Sequence, residues 1–199
     1  MLNTTRGSAF LPRIAVIVGS NRRDSINRKL AQALVRLGAG KFDASFARID
    51  DLPMYNQDHE NNLSPEVVRF KGELAKADGV LIVTPEHNRS IPTVLKNAVD
   101  WGTRPWGKNN WAGKPIAIAG TSPGALGAAL AQSHLRQVLS GSLGAFLFGG
   151  EVYITFKQGL IDDQGNVTDD GTKKFLQGFV DGFTAFVGRH APVAQRSAA

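Results

Sequence analysis

Runs of consecutive apolar residues alternate along the chain with stretches in which apolar residues recur at helical spacing. In the predicted strand 13–18 (RIAVIV) every residue after Arg13 is apolar, and residues 80–83 (VLIV) are all apolar. That pattern is typical of parallel strands that are covered by helices on both faces. Further strands are predicted at 44–49, at 115–119 and at 145–148, the last resuming at 152–155.

Helical spacing fills the intervals between these runs. A first helix is predicted from Ile26 to Leu37, and a second begins near Pro65. Ser90 is predicted to cap a third helix with Pro92 in its first turn, where a missing N–H does no harm. A fourth helix is predicted from about residue 125 onward. The last helix carries four phenylalanines that are predicted to be core: Phe175, Phe179, Phe183 and Phe186.

The alternation of strands and helices predicts right-handed βαβ units and an α/β fold with three layers. The expected architecture is a flavodoxin-like three-layer sandwich around a five-stranded parallel sheet of order 2-1-3-4-5. At 199 residues and 21.3 kDa, the chain is expected to be a single domain spanning 1–199. The tails at about 1–11 and 190–199 are expected to be frayed.

Composition narrows the classes of partner and chemistry. The chain has no cysteine, which excludes disulfides, thiolate metal sites and cysteine nucleophiles. Its formal net charge of +6 favours anionic partners. The basic residues are scattered, so a phosphorylated cofactor or small anionic substrate is a better interpretation than nucleic acid. Because no segment resembles a signal peptide or a membrane span, we expect a cytoplasmic protein without membrane insertion.

Three polar loops follow predicted strands. The first loop (residues 19–27) reads GSNRRDSIN, the second loop (84–92) reads TPEHNRSIP, and the third loop (120–127) reads GTSPGALG. In an open parallel sheet such loops emerge at the carboxyl ends of the strands, and ligands bind where the strand order reverses. For the predicted order, that point lies between the first and third strands. The three loops are therefore expected to lie side by side.

The first loop carries groups suited to a phosphate. It leads into a helix N-terminus, where free N–H groups and the helix dipole attract an anion. Ser20, Ser25 and Asn27 add side-chain donors, and Arg22 or Arg23 adds positive charge. The loop lacks both G-x-G-x-x-G and GK[ST], so a terminal monophosphate is favoured over a pyrophosphate or a triphosphate. The alternative is that a polar residue of the loop only caps the helix while the arginines are solvated.

The second and third loops suit a planar ring. Prolines stiffen both ends of the second loop, and Glu86, His87 and Asn88 lie between them. A stiff backbone with polar groups can bind the edge of a heteroaromatic ring. The alternative is an ordinary connector with an exposed histidine. The third loop offers Thr121, Ser122 and a close backbone approach at Gly124, which is a weak signal in isolation.

Together these loops resemble the NADPH-dependent FMN reductase family, near its bacterial quinone and chromate reductases, over roughly residues 13–188. The family pattern G-S-x-R-x-x-S-x-N is met by Gly19, Ser20, Arg22, Ser25 and Asn27. The pattern T-P-E-Y-N-x-x-x-P, followed by L-K-N-A-x-D-W, is met at 84–92 and 95–101 with one departure. The motifs AGTSPGALG and HLRQVL also match. His87 stands where the family usually has tyrosine, a ring near the flavin and a subunit contact.

The resemblance implies non-covalently bound FMN, with its phosphate at residues 20–27 and its isoalloxazine against 85–90 and 121–125. The residues expected to bind it are Gly19, Ser20, Arg22, Ser25, Ile26, Asn27, Pro85, Glu86, His87, Asn88, Ser90, Thr121, Ser122 and Gly124. NADPH or NADH is expected as the reductant, delivering hydride to flavin N5. No catalytic side chain and no metal are expected, because the flavin carries the chemistry.

The resemblance also implies acceptors and an assembly. Quinones are expected as acceptors, with chromate, ferric complexes or azo dyes as possible additions. A homodimer or homotetramer is expected, with Tyr153, Phe156 and the face from Leu135 to Leu139 as interface candidates. The segment 101–113, which holds all three tryptophans, is interpreted either as packing beneath a loop or as a subunit contact or flavin wall.

Two other functions compete with the enzyme. One is a flavodoxin-like electron carrier, although such carriers usually present an acidic face and this chain is basic. The other is a non-enzymatic nucleotide-binding or regulatory module that uses the first loop for a different phosphate. Within the enzyme hypothesis, replacing Arg22 or Ser25 by alanine is expected to lower FMN retention more than stability, since neither side chain is expected in the core.

Overall fold

The protein is described here by a computed structural model covering residues 11–190. The tails predicted to be frayed lie outside this range except for Leu11, which is exposed, and His190, which is the last residue of a helix. The strands are β1 (Arg13–Val18), β2 (Asp43–Ala47), β3 (Gly79–Thr84), β4 (Pro115–Ser122), β5 (Phe146–Leu147) and β6 (Tyr153–Thr155). The helices are α1 (Ile26–Leu37), α2 (Pro65–Lys76), α3 (Thr93–Thr103), α4 (Ala129–Ser140) and α5 (Asp170–His190).

All pairings between these strands are parallel, and their order is β2-β1-β3-β4-β5. The predicted α/β class and strand order are therefore confirmed. The predicted fifth strand is interrupted: β5 pairs with Pro115 and Ile116 at the start of β4, whereas β6 pairs with residues 120–122 at its end. The strand predicted at 44–49 runs from Asp43 to Ala47, and β4 extends three residues beyond its predicted end at 119.

Helices cover both faces of the sheet, because the central strands are apolar on both sides. One core cluster joins β1, β3 and β4 to α1 and α5, and the other joins the opposite faces of these strands to α2, α3 and α4. All six residues of β3 are buried. Within residues 11–190, no helix is long and apolar enough to cross a membrane.

Two predicted helix starts are wrong. Ser90 does not cap α3, because its hydroxyl contacts the imidazole of His134; the helix begins at Thr93 with Pro92 in the N-cap position. Helix α4 begins at Ala129, four residues later than predicted, because the glycine-rich third loop continues up to that point. The start of α1 agrees with the prediction, since the Ser25 side chain accepts a hydrogen bond from Arg28 N–H.

Several predictions about large apolar side chains need correction. Phe179 and Phe183 are core, but Phe175 is half exposed and Phe186 is only partly buried. The buried face of α5 is formed by Leu176, Phe179, Val180, Phe183 and Val187, and Phe175 and Phe186 lie at one margin of this face. The three tryptophans differ in exposure. Trp101 and Trp111 are buried, which supports the interpretation of packing beneath a loop, whereas Trp106 is 88% exposed.

The predicted interface on α4 is also wrong. Leu135 and Leu139 are completely buried against the sheet of their own chain and offer no surface to a partner.

Candidate FMN site

The first and second loops are joined at the carboxyl edge of the sheet. Gly19 N–H donates to the carbonyl of Val83 at 2.8 Å, which extends the β1–β3 pairing into the first loop. A Cβ at Gly19 would lie only 2.8 Å from Thr84 Oγ1 and 3.0 Å from a methyl of Leu95. Because only glycine permits this approach, the two loops leave the sheet in direct contact.

Asn27 joins the first loop to the third. Its side-chain amide donates to the carbonyl of Thr121 at 3.0 Å and accepts from the N–H of Thr121 at 3.0 Å. The two residues are 94 positions apart in the chain, and both are buried. The carboxamide thus forms hydrogen bonds with both the N–H and the carbonyl of Thr121, as the backbone of a neighbouring strand would. This side chain is therefore committed within the protein, and Asn27 has only its backbone N–H to offer a phosphate.

The second and third loops meet at Gly120 and Thr84. These residues are paired across β3 and β4, and a Cβ at Gly120 would lie 2.6 Å from the carbonyl oxygen of Thr84. Thr84 in turn donates its hydroxyl proton to the carbonyl of Pro85 at 2.8 Å. All three predicted loops are therefore in mutual contact at one edge, as the strand order predicts.

The first loop holds the donors that a phosphate monoester requires. Ile26 and Asn27 are the first residues of α1, so their N–H groups have no acceptor within the helix. The first turn of α1 carries no acidic residue, which leaves the positive end of its dipole uncompensated. Ser20 is partly exposed, and Arg22 is exposed. Ser25 is only 5% exposed, because its oxygen caps the helix, but its hydroxyl proton can still be donated.

The second loop contains a tight hairpin. His87 N–H donates to the carbonyl of Ser90 at 3.1 Å, and Ser90 N–H donates back to the carbonyl of His87 at 2.9 Å. Between them Asn88 and Arg89 both have positive φ, 48° and 63°, which is the geometry of a type I′ turn. The hairpin directs the side chains of His87, Asn88 and Arg89 into solvent, where all three are exposed.

Glu86 is bound to helix α4 rather than turned outward. Its Oε2 accepts from the N–H groups of Leu130, at 2.9 Å, and Ala131, at 3.3 Å. Its Oε1 lies 3.5 Å from the guanidinium of Arg89. Helix α4 has no side-chain cap of its own, since its N-cap residue is Ala128. The carboxylate therefore supplies the cap and occupies the anion-binding end of this helix.

We expect Glu86→Ala to lower the free energy of unfolding by about 1–2 kcal/mol, because two N–H groups of α4 lose their acceptor. Glu86→Gln keeps an acceptor and removes only the charge, so its expected cost is about 0.5–1 kcal/mol. Urea unfolding of both variants measures the difference. Equal stability of the two variants and the parent would show that the carboxylate does not cap the helix.

The third loop packs closely against β6. Thr121 donates its hydroxyl proton to the carbonyl of Ile154 at 2.7 Å, so this side chain is buried and not available to a ligand. Ser122 is partly exposed, and its oxygen accepts from Gly124 N–H at 3.0 Å. Gly124 is exposed, with only the Ser122 hydroxyl near its missing Cβ. The loop therefore presents Ser122 and open backbone to a ligand.

A cleft of about 350 Å³ beside the first loop was not predicted from the sequence. It is lined by Val18, Ser20, Arg28, Phe46, Ala47, Arg48, Ile49 and Asp50. Arg48 donates to Asp50 from Nε at 2.9 Å, and this hydrogen bond lowers the pKa of the Asp50 carboxyl. The cleft lies on the β2 side of the first loop. The feature of the sequence that could have predicted this cleft is Arg48, which directly follows β2 and therefore lies at the same carboxyl edge of the sheet.

The donor set fits FMN better than a metal or a second anion. Among the side chains of residues 11–190, no three His, Asp or Glu groups converge as metal ligands would. Three helices begin at this edge. The N-terminus of α4 is taken by Glu86, and that of α3 has neither a side-chain cap nor an acid in its first turn. That of α1 combines free N–H groups with Ser20, Ser25 and nearby guanidinium groups. A single phosphate monoester therefore suits the first loop.

Comparison with known proteins agrees with this geometry. Residues 12–159 match the family model for NADPH-dependent FMN reductase. The chain is 51% identical to a 2-hydroxy-1,4-benzoquinone reductase from Burkholderia sp. over 88% of this chain and 96% of the relative. It is 45% identical to a quinone reductase from Pseudomonas putida over 87% of this chain and 94% of the relative.

A solved structure gives the same assignment. FerB, a flavoenzyme NAD(P)H:(acceptor) oxidoreductase from Paracoccus denitrificans, superposes with a TM-score of 0.88 at 44% identity, covering 92% of this chain and all of FerB. The predicted enzyme class, with FMN and a nicotinamide nucleotide as its cofactors, is thereby confirmed at the level of the family. The chain belongs to the NADPH-dependent FMN reductase family.

Proposed function

We propose that this protein is an FMN-dependent NAD(P)H:quinone oxidoreductase whose flavin phosphate binds at the first loop. The observation that carries the assignment is the set of donors at the N-terminus of α1. The N-terminus of α4 is neutralised by Glu86 and that of α3 lacks a side-chain cap, whereas that of α1 combines free N–H groups with two serine hydroxyls and nearby guanidinium groups. A phosphate dianion gains most where a dipole and free donors remain uncompensated.

The remaining site residues follow from their exposure. In the first loop, Gly19 brings the chain close to β3, and hydrogen bonds to phosphate come from the hydroxyls of Ser20 and Ser25, the guanidinium of Arg22 and the backbone of Ile26 and Asn27. The isoalloxazine ring lies against the second and third loops. There it meets Pro85, His87, Asn88, Ser90, Ser122 and Gly124, while Glu86 and Thr121 fix the loops behind it.

When bound, FMN supplies the redox chemistry by taking hydride from a nicotinamide at N5 and returning it to an acceptor. The protein contributes binding and orientation. The hydrogen bonds of Asn27 and Glu86 hold the three loops at fixed separations, and this fixed arrangement would orient a ring bound between them.

Quinones are the proposed acceptors, because the relatives named above include reductases of quinones. A flat ring with one open face accepts flat molecules of varied structure. Chromate and other anionic oxidants are proposed as additional acceptors, since the net charge of +6 favours the approach of anions. We place the protein in the cytoplasm, where its reductant is available.

A homodimer or homotetramer is proposed on the basis of large apolar side chains left exposed. Four large side chains are substantially exposed: Tyr153 (41%), Phe175 (50%), Phe146 (47%) and Trp106 (88%). Tyr153 and Phe175 line one recess beside β6, which makes this edge of the sheet the better candidate for a subunit contact. Phe156, the other candidate from the sequence, is only partly exposed.

Arg22→Ala is expected to weaken FMN binding about 10- to 100-fold, the equivalent of one charge-assisted hydrogen bond. Stability of the flavin-free protein should not change, because Arg22 is exposed and its side chain makes no hydrogen bond or ion pair in the described structure. Fluorescence titration of flavin-free protein with FMN measures the affinity. Arg23→Ala is the matched control, since Arg23 is equally exposed in the same loop but lies outside the family pattern.

Ser25→Ala differs from the expectation in the sequence analysis. Its hydroxyl caps α1 and is buried, so this variant loses helix stability as well as flavin affinity. Unchanged FMN affinity in both Arg22→Ala and Ser25→Ala would remove the first loop as the phosphate site.

An absorption spectrum of the purified protein, recorded before and after anaerobic NADPH, tests the function itself. Flavin bands that bleach with NADPH and recover with a quinone support the enzyme. Bands that bleach only with a reduced partner protein would indicate an electron carrier. A colourless protein that does not bind added FMN would indicate a nucleotide-binding module.

A further inference from the structure

Ser90 and His134 form a hydrogen-bonded pair at the rim of the candidate site. Ser90 Oγ lies 3.0 Å from His134 Nδ1, and the two residues are 44 positions apart. Ser90 closes the hairpin of the second loop and is partly exposed, whereas His134 lies one turn into α4 and is exposed. The pair therefore connects a hydroxyl beside the proposed ring position to an imidazole that solvent can reach.

The hairpin does not need this pair to hold its position. Its two backbone hydrogen bonds close the turn, and Glu86 fixes the preceding residue to the first turn of α4. The charged or titratable side chains on the elements that meet here are Glu86, His87 and Arg89 of the second loop, Arg136 of α4 and Glu151 between β5 and β6. None of these carboxylates lies within ion-pair distance of His134 in the described structure, and its exposed imidazole is in contact with solvent.

Reduction of a quinone to a hydroquinone consumes two electrons and two protons. Hydride from the reduced flavin brings both electrons and one proton, so a second proton must reach the acceptor oxygen from elsewhere. A hydroxyl hydrogen-bonded to an imidazole can deliver it, because histidine exchanges protons readily near neutral pH.

We propose that Ser90 donates the second proton to the acceptor. His134 is the positioning residue, and it returns a proton to the Ser90 hydroxyl. This inference rests on the proposed function. As the acceptor oxygen takes the proton of Ser90 Oγ, Oγ takes the proton of His134 Nδ1. The imidazolium becomes neutral imidazole, and water restores its proton. The acceptor ends as hydroquinone, and the chain returns to its starting state.

An acceptor that takes up no proton on reduction allows proton donation by Ser90 to be tested separately from electron transfer. Ferricyanide takes single electrons and no proton, so it serves as the comparison for 1,4-benzoquinone. His134→Asn keeps an amide that can hydrogen-bond Ser90 but cannot relay a proton. We expect it to lower kcat with benzoquinone about 100-fold, at the lower end of general-acid effects, with less than about a twofold change for ferricyanide. Ser90→Ala should lower kcat with benzoquinone by a similar factor, and His59→Asn, at another exposed histidine, should leave both rates unchanged.

A second readout does not depend on the flavin. In flavin-free protein, the ¹⁵N resonances of the His134 ring report its hydrogen bond, and Ser90→Ala should shift Nδ1 while leaving the other histidines in place. Equal loss of both acceptor rates in His134→Asn, or no loss of either, would overturn the proposal, and so would an unmoved Nδ1 resonance. If the parent protein reduced neither acceptor, the proposed function itself would fail. That outcome is distinct from failure of this inference, which is measured by comparing the variants with an active parent.

Discussion

Replacing Asn27 by alanine is expected to lower the free energy of unfolding by about 2–4 kcal/mol. The variant leaves both the N–H and the carbonyl of Thr121 without a partner in a buried position. Each unsatisfied buried group costs about 1–3 kcal/mol. Because the same amide holds the first loop against the third, FMN affinity should fall as well. Urea unfolding of flavin-free protein measures the first effect, and FMN titration measures the second.

Asn27→Asp refines this experiment. It keeps an acceptor for Thr121 N–H but places a carboxylate opposite the Thr121 carbonyl, so we expect it to be at least as destabilising as alanine. Asn62→Ala, at an exposed asparagine, should change stability by no more than about 0.5 kcal/mol. If Asn27→Ala matched Asn62→Ala, the side chain would not support the loops as described.

Gly120→Ala is the second large expected effect. The new Cβ would lie 2.6 Å from the carbonyl oxygen of Thr84 and 2.8 Å from the amide nitrogen of Gln132. The carbonyl belongs to a paired strand and cannot rotate away, so β3 and β4 must separate at their carboxyl ends. We expect a loss of about 3 kcal/mol or more, together with loss of FMN binding, because the second and third loops begin at this point.

Gly124→Ala provides the matched control in the same loop. Its Cβ would meet only the Ser122 hydroxyl, at 3.5 Å, and the residue is exposed. Thermal unfolding should therefore separate the two alanine variants clearly. Similar melting temperatures for both would show that β3 and β4 tolerate a methyl group where the structure leaves no room for one.

The sheet could be predicted from the sequence because its signals are local. Doubly apolar runs such as 13–18 and 80–83 identify buried parallel strands, and the alternation with helices leaves few topologies. The positions of the three loops follow from the strand order alone. The start of α1 also followed from local chemistry, since Ser25 directly precedes the predicted helix and its side chain caps α1 in the structure.

The interactions that assemble the site could not be predicted in the same way. Asn27 contacts Thr121 across 94 positions, and Glu86 contacts Leu130 across 44. Each side chain has ordinary local uses, and nothing in its neighbourhood shows that it will bind a distant backbone group instead. The Ser90 error has the same origin, because a serine before a helix usually caps it, and only tertiary structure brings His134 within reach.

The hairpin of the second loop limits how the cofactor preference of this protein could be altered. His87 and Ser90 use their N–H and carbonyl groups on each other, so the turn can offer a ligand only the main-chain atoms of Asn88 and Arg89. Side-chain replacement leaves those atoms in place. A library of point substitutions would therefore retain the same main-chain contacts, and redesign of ring specificity would have to begin with an insertion or deletion in this turn.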